Sequence, residues 1–205
     1  MAFDSNMVLS SNYNLADLCV TSQILMQPNI PSDQSTINNL IVTADVLEQL
    51  TSTIGPFSVL SGFRTKELQQ VLGEAGNPVA QGLSFHEVGR AVDIYPTTMA
   101  ISDYFGKILA NQDLTNKFAE ISIKPGQNSI HLAVNVPGDT RTPKITGLDS
   151  SSNTYQTLSD SAIENYIQQA GAGLENVIQV AEDNPNISIP ILVGIAGIIY
   201  VLLTS

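Results

Sequence analysis

The chain is poor in the residues that usually fasten or charge a protein surface. Its 205 residues include one cysteine, no tryptophan, two histidines and only eight lysines and arginines. A single cysteine, Cys19, excludes an internal disulfide. Flanked by Leu18 and Val20, it reads as a small packed residue and not as a nucleophile. The scarcity of base leaves a net charge of −11 and a pI near 4.3. That balance excludes general nucleic-acid binding, which needs Lys and Arg against phosphate. It equally excludes docking on an anionic membrane through a basic patch. The first residues, Met1-Ala2-Phe3-Asp4-Ser5-Asn6, lack a basic segment followed by a long apolar one, so no secretory signal peptide is expected.

What is present is enough for a folded domain. Hydrophobic residues make up 43% and charged residues 13%, outside the composition of disordered chains. The length suits one medium domain plus an appendage. Charge marks where the two meet. All eight basic residues lie within residues 1–144, whereas residues 145–205 carry six acids (Asp149, Asp160, Glu164, Glu175, Glu182 and Asp183) and no base. The intervening sequence, from Pro137-Gly138-Asp139 to Asp149-Ser150-Ser151-Ser152-Asn153, is polar and turn-rich. The organisation expected is therefore a domain over 1–140, a linker over 141–157, an amphipathic helix over 158–183 and an apolar helix over 187–203.

The hydrophobic periods give an α+β pattern. Ile37, Leu40, Ile41, Ala44, Leu47 and Leu50 recur at helical spacing after a polar Ser35-Thr36 start. Phe57 to Leu60 is a short strand, Thr65 to Glu74 a helix and Ala91 to Ile94 an apolar strand stopped by Pro96. Ile101, Phe105, Ile108 and Leu109 mark a further helix. Ile121 and Ile123, then Ile130 and Leu132, alternate on either side of Pro125-Gly126-Gln127, as a β-hairpin does. Leu158, Ala162, Ile163, Tyr166, Ile167, Ala170, Leu174, Val177 and Ile178 repeat at three and four. Beyond Asn184-Pro185-Asn186, the seventeen uncharged residues from Ile187 to Leu203 would reach about 26 Å as a helix, the short end of a membrane span. Gly194 and Gly197 leave surfaces where helices pack closely. The readings for this segment are membrane contact or burial within an assembly. With no Lys or Arg near its ends, flanking charge does not orient it.

Three residues carry the chemistry. His86 and His131 are the only histidines, and Asp93 is a carboxylate inside the apolar Ala91–Ile94 strand. An unpaired charge there is costly, and a bound cation removes that cost. Two imidazoles and one carboxylate suit a tetrahedral zinc with one position left for water. Such a zinc lowers the pKa of its water and polarises a carbonyl. The competing structural role for Asp93 is a buried ion pair with Arg64 or Arg90.

Ser61-Gly62-Phe63-Arg64-Thr65, followed by Ser84-Phe85-His86 and Gly89-Arg90-Ala91-Val92-Asp93, is similar to the paired signature of the zinc D-Ala-D-Ala carboxypeptidases, the M15 peptidase family that includes phage endolysins. Asn12-Tyr13-Asn14-Leu15-Ala16-Asp17-Leu18, Asn29-Ile30-Pro31 and the helix before Ser61 resemble the phage-type branch, so that the likeness spans residues 8 to 135. The resemblance implies a small antiparallel sheet with flanking helices, the hedgehog-like peptidase fold. It implies zinc held by His86, Asp93 and His131, with Arg64 and Ser84 binding a substrate carboxylate or oxyanion. A guanidinium fork suits that task. The family places an acidic general base three residues before the last histidine, where this chain has Asn128. A carboxamide cannot accept and return a proton as a carboxylate does. Glu120, in the same hairpin, and Glu87, beside His86, are the substitutes available. Two functions follow from the resemblance: a peptidoglycan peptidase, or a catalytically impaired structural or cell-wall-binding protein of a phage particle. The partners implied are peptidoglycan peptide, and other virion proteins or a membrane through the C-terminal helix; the location is a virion or the bacterial envelope.

Overall fold

The computed structural model describes residues 3–21, 23, 25–75, 84–139, 141–149 and 154–183, with side chains as far as Gly171. The expected elements form close to where the periodicities place them. Helix α1 (Gln34–Thr53) begins at Asp33, whose carboxylate accepts from the Thr36 amide at 2.8 Å and stands at the positive end of the helix. Helix α2 (Lys66–Glu74) is capped by the Thr65 hydroxyl. Helices α3 (Ile101–Ala110) and α4 (Gln112–Thr115) precede the β3–β4 hairpin.

Six strands make one sheet in the order β1-β2-β4-β3-β5-β6: β1 (Phe57–Ser61), β2 (Ala91–Pro96), β3 (Phe118–Lys124), β4 (Ser129–Val134), β5 (Lys144–Asp149) and β6 (Thr154–Thr157). Alternation sorts the two faces. Val92, Ile94, Ile121, Ile123, Ile130 and Leu132 are buried in one core with Leu40, Leu47 and Leu50 of α1 and Phe105 and Ile108 of α3. The residues between them, among them Asp93, Ser122 and His131, fall on the other face.

Two expectations are corrected. The sheet is mixed, not antiparallel throughout, because β5 runs parallel to β3 with Ser122 opposite Thr146. Residues 141–157, read as a linker, contain β5 and β6. Their polar, turn-rich composition hides them because Lys144-Ile145-Thr146-Gly147-Leu148 shows apolar residues only at widely spaced positions, and pairing with β3 supplies what its composition does not. The α+β class stands.

The amphipathic helix is α5 (Asp160–Asp183), and its first half lies on α3. Phe105 and Tyr166 meet edge to face at 4.9 Å. Gly106 allows the approach, since a Cβ there would come 2.2 Å from the Tyr166 carbonyl oxygen and 2.8 Å from the Ala170 Cβ. The apolar stretch 187–203 lies outside the described residues; among those described, no helix is long and apolar enough to cross a membrane. Gly106→Ala is expected to destabilise the protein by about 1–3 kcal/mol through overpacking of the α3–α5 contact, measured as a lowered urea midpoint.

Candidate metal centre

Strand pairing assembles the site. One row of residues crosses the sheet, each opposite the next: Ser61, Asp93, His131, Ser122, Thr146 and Thr157. Opposed residues share a face, so residues far apart in sequence become side-by-side polar groups. A β-bulge in β1 enters this row. Val59 pairs with Ile94 and Ser61 with Asp93, the extra residue being Leu60. The bulge brings Ser61 into the row opposite Asp93, although Val59 two residues earlier faces Ile94.

The Ser61–Arg64 segment uses each of its residues. The Ser61 hydroxyl accepts from Arg64 Nε at 3.0 Å. Gly62 is needed for close approach, because a Cβ would lie 2.2 Å from the Leu18 carbonyl oxygen, to which the Phe63 amide donates. The Gly62 carbonyl accepts from His86 Nδ1 at 2.6 Å. Phe63 is buried, and Arg64 reaches Asp93 Oδ2 at 2.6 Å. Buried Asn29 braces the turn, donating to the Cys19 and Phe63 carbonyls and accepting from the Thr65 amide.

The His86 turn is equally determined. The Ser84 hydroxyl accepts from the His86 amide, and Glu87 accepts from the Ser84 amide, a reciprocal arrangement like a capping box. Gly89 ends the turn at φ +70, with Thr36 and Leu40 of α1 too near to admit a Cβ. Arg90 leaves the site. It bonds Asp139 and the Val134 carbonyl and lies over the Phe85 ring, so of the two arginines considered for Asp93 it is Arg64 that pairs.

His86, Asp93 and His131 come together, their candidate ligand atoms all within 4.8 Å of one another, and can hold a metal ion. Asp93 Oδ2 is 3.6 Å from His86 Nε2, and Oδ1 is 3.0 Å from His131 Nδ1. These separations straddle the roughly 3.3 Å edge of a tetrahedron with zinc-type bond lengths. A carbonyl can only accept, so the Gly62 contact places the His86 proton on Nδ1 and leaves the Nε2 lone pair toward Asp93, the arrangement typical of a metal-binding histidine. Burial holds His86 well below the ordinary imidazole range, assisted by Arg64 and His131, despite Asp93 acting in the opposite direction. It is therefore neutral, as a ligand must be.

Asp93 already has cationic partners. Besides Arg64, the Lys124 ammonium lies 2.7 Å from Oδ1. Burial alone would raise the Asp93 carboxyl, but the charge of Lys124 and the hydrogen bond with His131 outweigh it and hold the group well below the usual carboxylate range. Nothing in the reading of the residues singles out Lys124, nor Ser122, Thr146 or Tyr155. The legible signal is the alternation Glu120-Ile121-Ser122-Ile123-Lys124, which puts a polar residue on the site face at every second position. Tyr155 on β6 is raised chiefly by burial, with Lys124, Asp93 and Glu120 among the charges acting on it.

The remaining expected residues separate from the cluster. Asn128 is exposed in the β3–β4 turn in a left-handed conformation, φ 49 and ψ 45. Glu120 accepts from the Ser122 hydroxyl at 3.0 Å, and that hydroxyl also contacts Thr146. Cys19 is half-buried, its thiol pushed up to about 12 by burial, so it is no thiolate nucleophile at neutral pH. A cavity of about 280 Å³ opens beside Arg64, lined also by Asp33, Phe63, Thr65, Lys66 and Glu87.

Compared with known proteins, the chain matches no family model, no curated protein and no solved structure. The site is thus defined by its own residues and geometry.

Asp93→Asn removes a charge that buried Lys124 and part-buried Arg64 share, and a loss of about 3–5 kcal/mol in unfolding free energy is expected at pH 7. Because the folded-state pKa is depressed, the stabilisation is complete above the unfolded value of about 3.9 and is lost as pH falls through the folded value. Denaturant titrations from pH 6 down to pH 2 should show the gap between native protein and variant narrowing below about pH 4.

Proposed function

We propose that this chain carries a zinc-binding domain of the D-Ala-D-Ala peptidase type that engages peptidoglycan peptide. The observation that carries the reading is the His86, Asp93 and His131 cluster with Arg64 at its edge, in the order and spacing of the family's two motifs. Zinc held by these three residues would supply a Lewis acid and a water of lowered pKa. Arg64 commits one Nη2 proton to Asp93 and Nε–H to Ser61. Its other guanidinium protons, which have no partner among the described residues, would serve a substrate carboxylate or oxyanion beside the adjoining cavity. Ser84 acts through the turn that presents His86, its hydroxyl accepting from the His86 amide.

A second reading, binding without turnover, has its own support. Among the described residues Asp93 is the only carboxylate in the cluster; the residue at the expected base position is the exposed carboxamide Asn128, and Glu120 is engaged with Ser122. On this reading zinc stabilises the fold and the cleft holds cell-wall peptide, as suits a component of a phage particle or of the bacterial envelope that is retained through the region after the sheet. That placement rests on the family resemblance.

The test is zinc content and peptidoglycan digestion measured in parallel on the full chain. One zinc per chain, lost in His86→Ala, is expected. Turnover that Glu120→Gln reduces by 10²-fold or more would identify a displaced base. Zinc without turnover, with activity appearing in Asn128→Asp, would establish the binding reading; Asp tolerates the left-handed conformation at that position. Zinc content unchanged by His86→Ala would overturn the proposal.

A further inference from the structure

Lys124 is unusual in its setting. It ends β3 between Ile123 and Pro125, is only 7% exposed, and points its ammonium at Asp93 Oδ1. Buried lysines are rare unless paired, yet Asp93 already has Arg64 on its other oxygen. One carboxylate against two cations leaves this group at +1 before any ion arrives. An ionised carboxylate offers about four lone-pair positions. Lys124 and His131 meet Oδ1, while Arg64 meets Oδ2 with His86 Nε2 further off. A divalent ion joining both imidazoles and Asp93 must share its carboxylate with fixed positive charge in a site where little water screens the repulsion.

Resting on the zinc reading above, we propose that Lys124 is a built-in cation that holds Asp93 in place without metal and sets the affinity of the site for a divalent ion. It is a positioning residue: it takes no part in ligation and acts through Asp93. A purely structural lysine would lower stability when removed and leave metal affinity unchanged or weaker. A competing cation has the opposite signature, since its removal makes the site more receptive.

The experiment titrates full-length native protein, Lys124→Met, Lys124→Gln and Lys124→Arg with Zn2+ against a chromophoric chelator, and records thermal melts in EDTA and in excess zinc. The neutral variants are expected to bind zinc at least tenfold more tightly than native protein, about 1.4 kcal/mol. Lys124→Arg, which keeps the charge, is expected to bind no more tightly than native. In EDTA the neutral variants should melt lower than native, and zinc should raise their Tm by more than it raises the native value. A neutral variant that folds only when zinc is present supports the proposal equally, and Lys124→Gln retains a donor toward Oδ1 should Met prove too disruptive. Neutral variants binding zinc no more tightly than native protein, with native binding intact and dependent on His86, would overturn the role of Lys124 alone. Absence of zinc binding in every chain would overturn both this inference and the metal reading.

Discussion

The carboxylate of Asp93 is the group around which the site is organised. It sits on β2, beneath the surface, where an ionised oxygen survives only if positive charge or hydrogen bonds reach it. Three side chains do so, Arg64 from the segment after β1, Lys124 from the end of β3 and His131 from β4, while neutral His86 faces it from the turn before β2. Each arrives from a different element. The requirement to satisfy one buried charge therefore ties together the middle of the sheet, its bulged edge strand and the loop that precedes β2.

The backbone is shaped to make those arrivals possible. Gly62 lets the end of β1 lie against Leu18, which orients its carbonyl to hold the His86 tautomer. Gly89 turns the chain back under α1, so that His86 and Asp93, seven residues apart, face one another. Asn29 satisfies two backbone groups where the chain turns from Gly62 to Thr65, and ties that turn to the Cys19 carbonyl. None of these residues approaches the cluster as a ligand. Their work is to remove alternatives, so that the imidazoles and the carboxylate keep separations suited to a metal ion.

Much of the architecture is legible in the residues alone. Helices α1 and α3 and strands β1 to β4 follow from apolar residues at periods near 3.6 and 2, since a buried face imposes that spacing wherever it occurs. The linker expectation fails at β5 and β6 because short strands of mixed composition owe their stability to the partner they join, here β3, and carry little pattern of their own. The site is half legible. His86 and His131 stand out by rarity and Asp93 by its apolar neighbours. Lys124 does not stand out, since a lysine next to a Pro-Gly turn is ordinarily solvated.

By itself the sequence determined the α+β class, the face-sorting of the β3–β4 hairpin and the chemical types that meet at the centre. These depend on local spacing and on the cost of burying charge, which residues reveal without their neighbours. Only the tertiary structure decided which cations oppose Asp93: Arg64 and not Arg90, and Lys124 where a carboxylate base was expected nearby. That choice depends on strand order, on one bulge in β1 and on the β3–β4 register. A shift of one residue in any of them turns a side chain to the opposite face of the sheet.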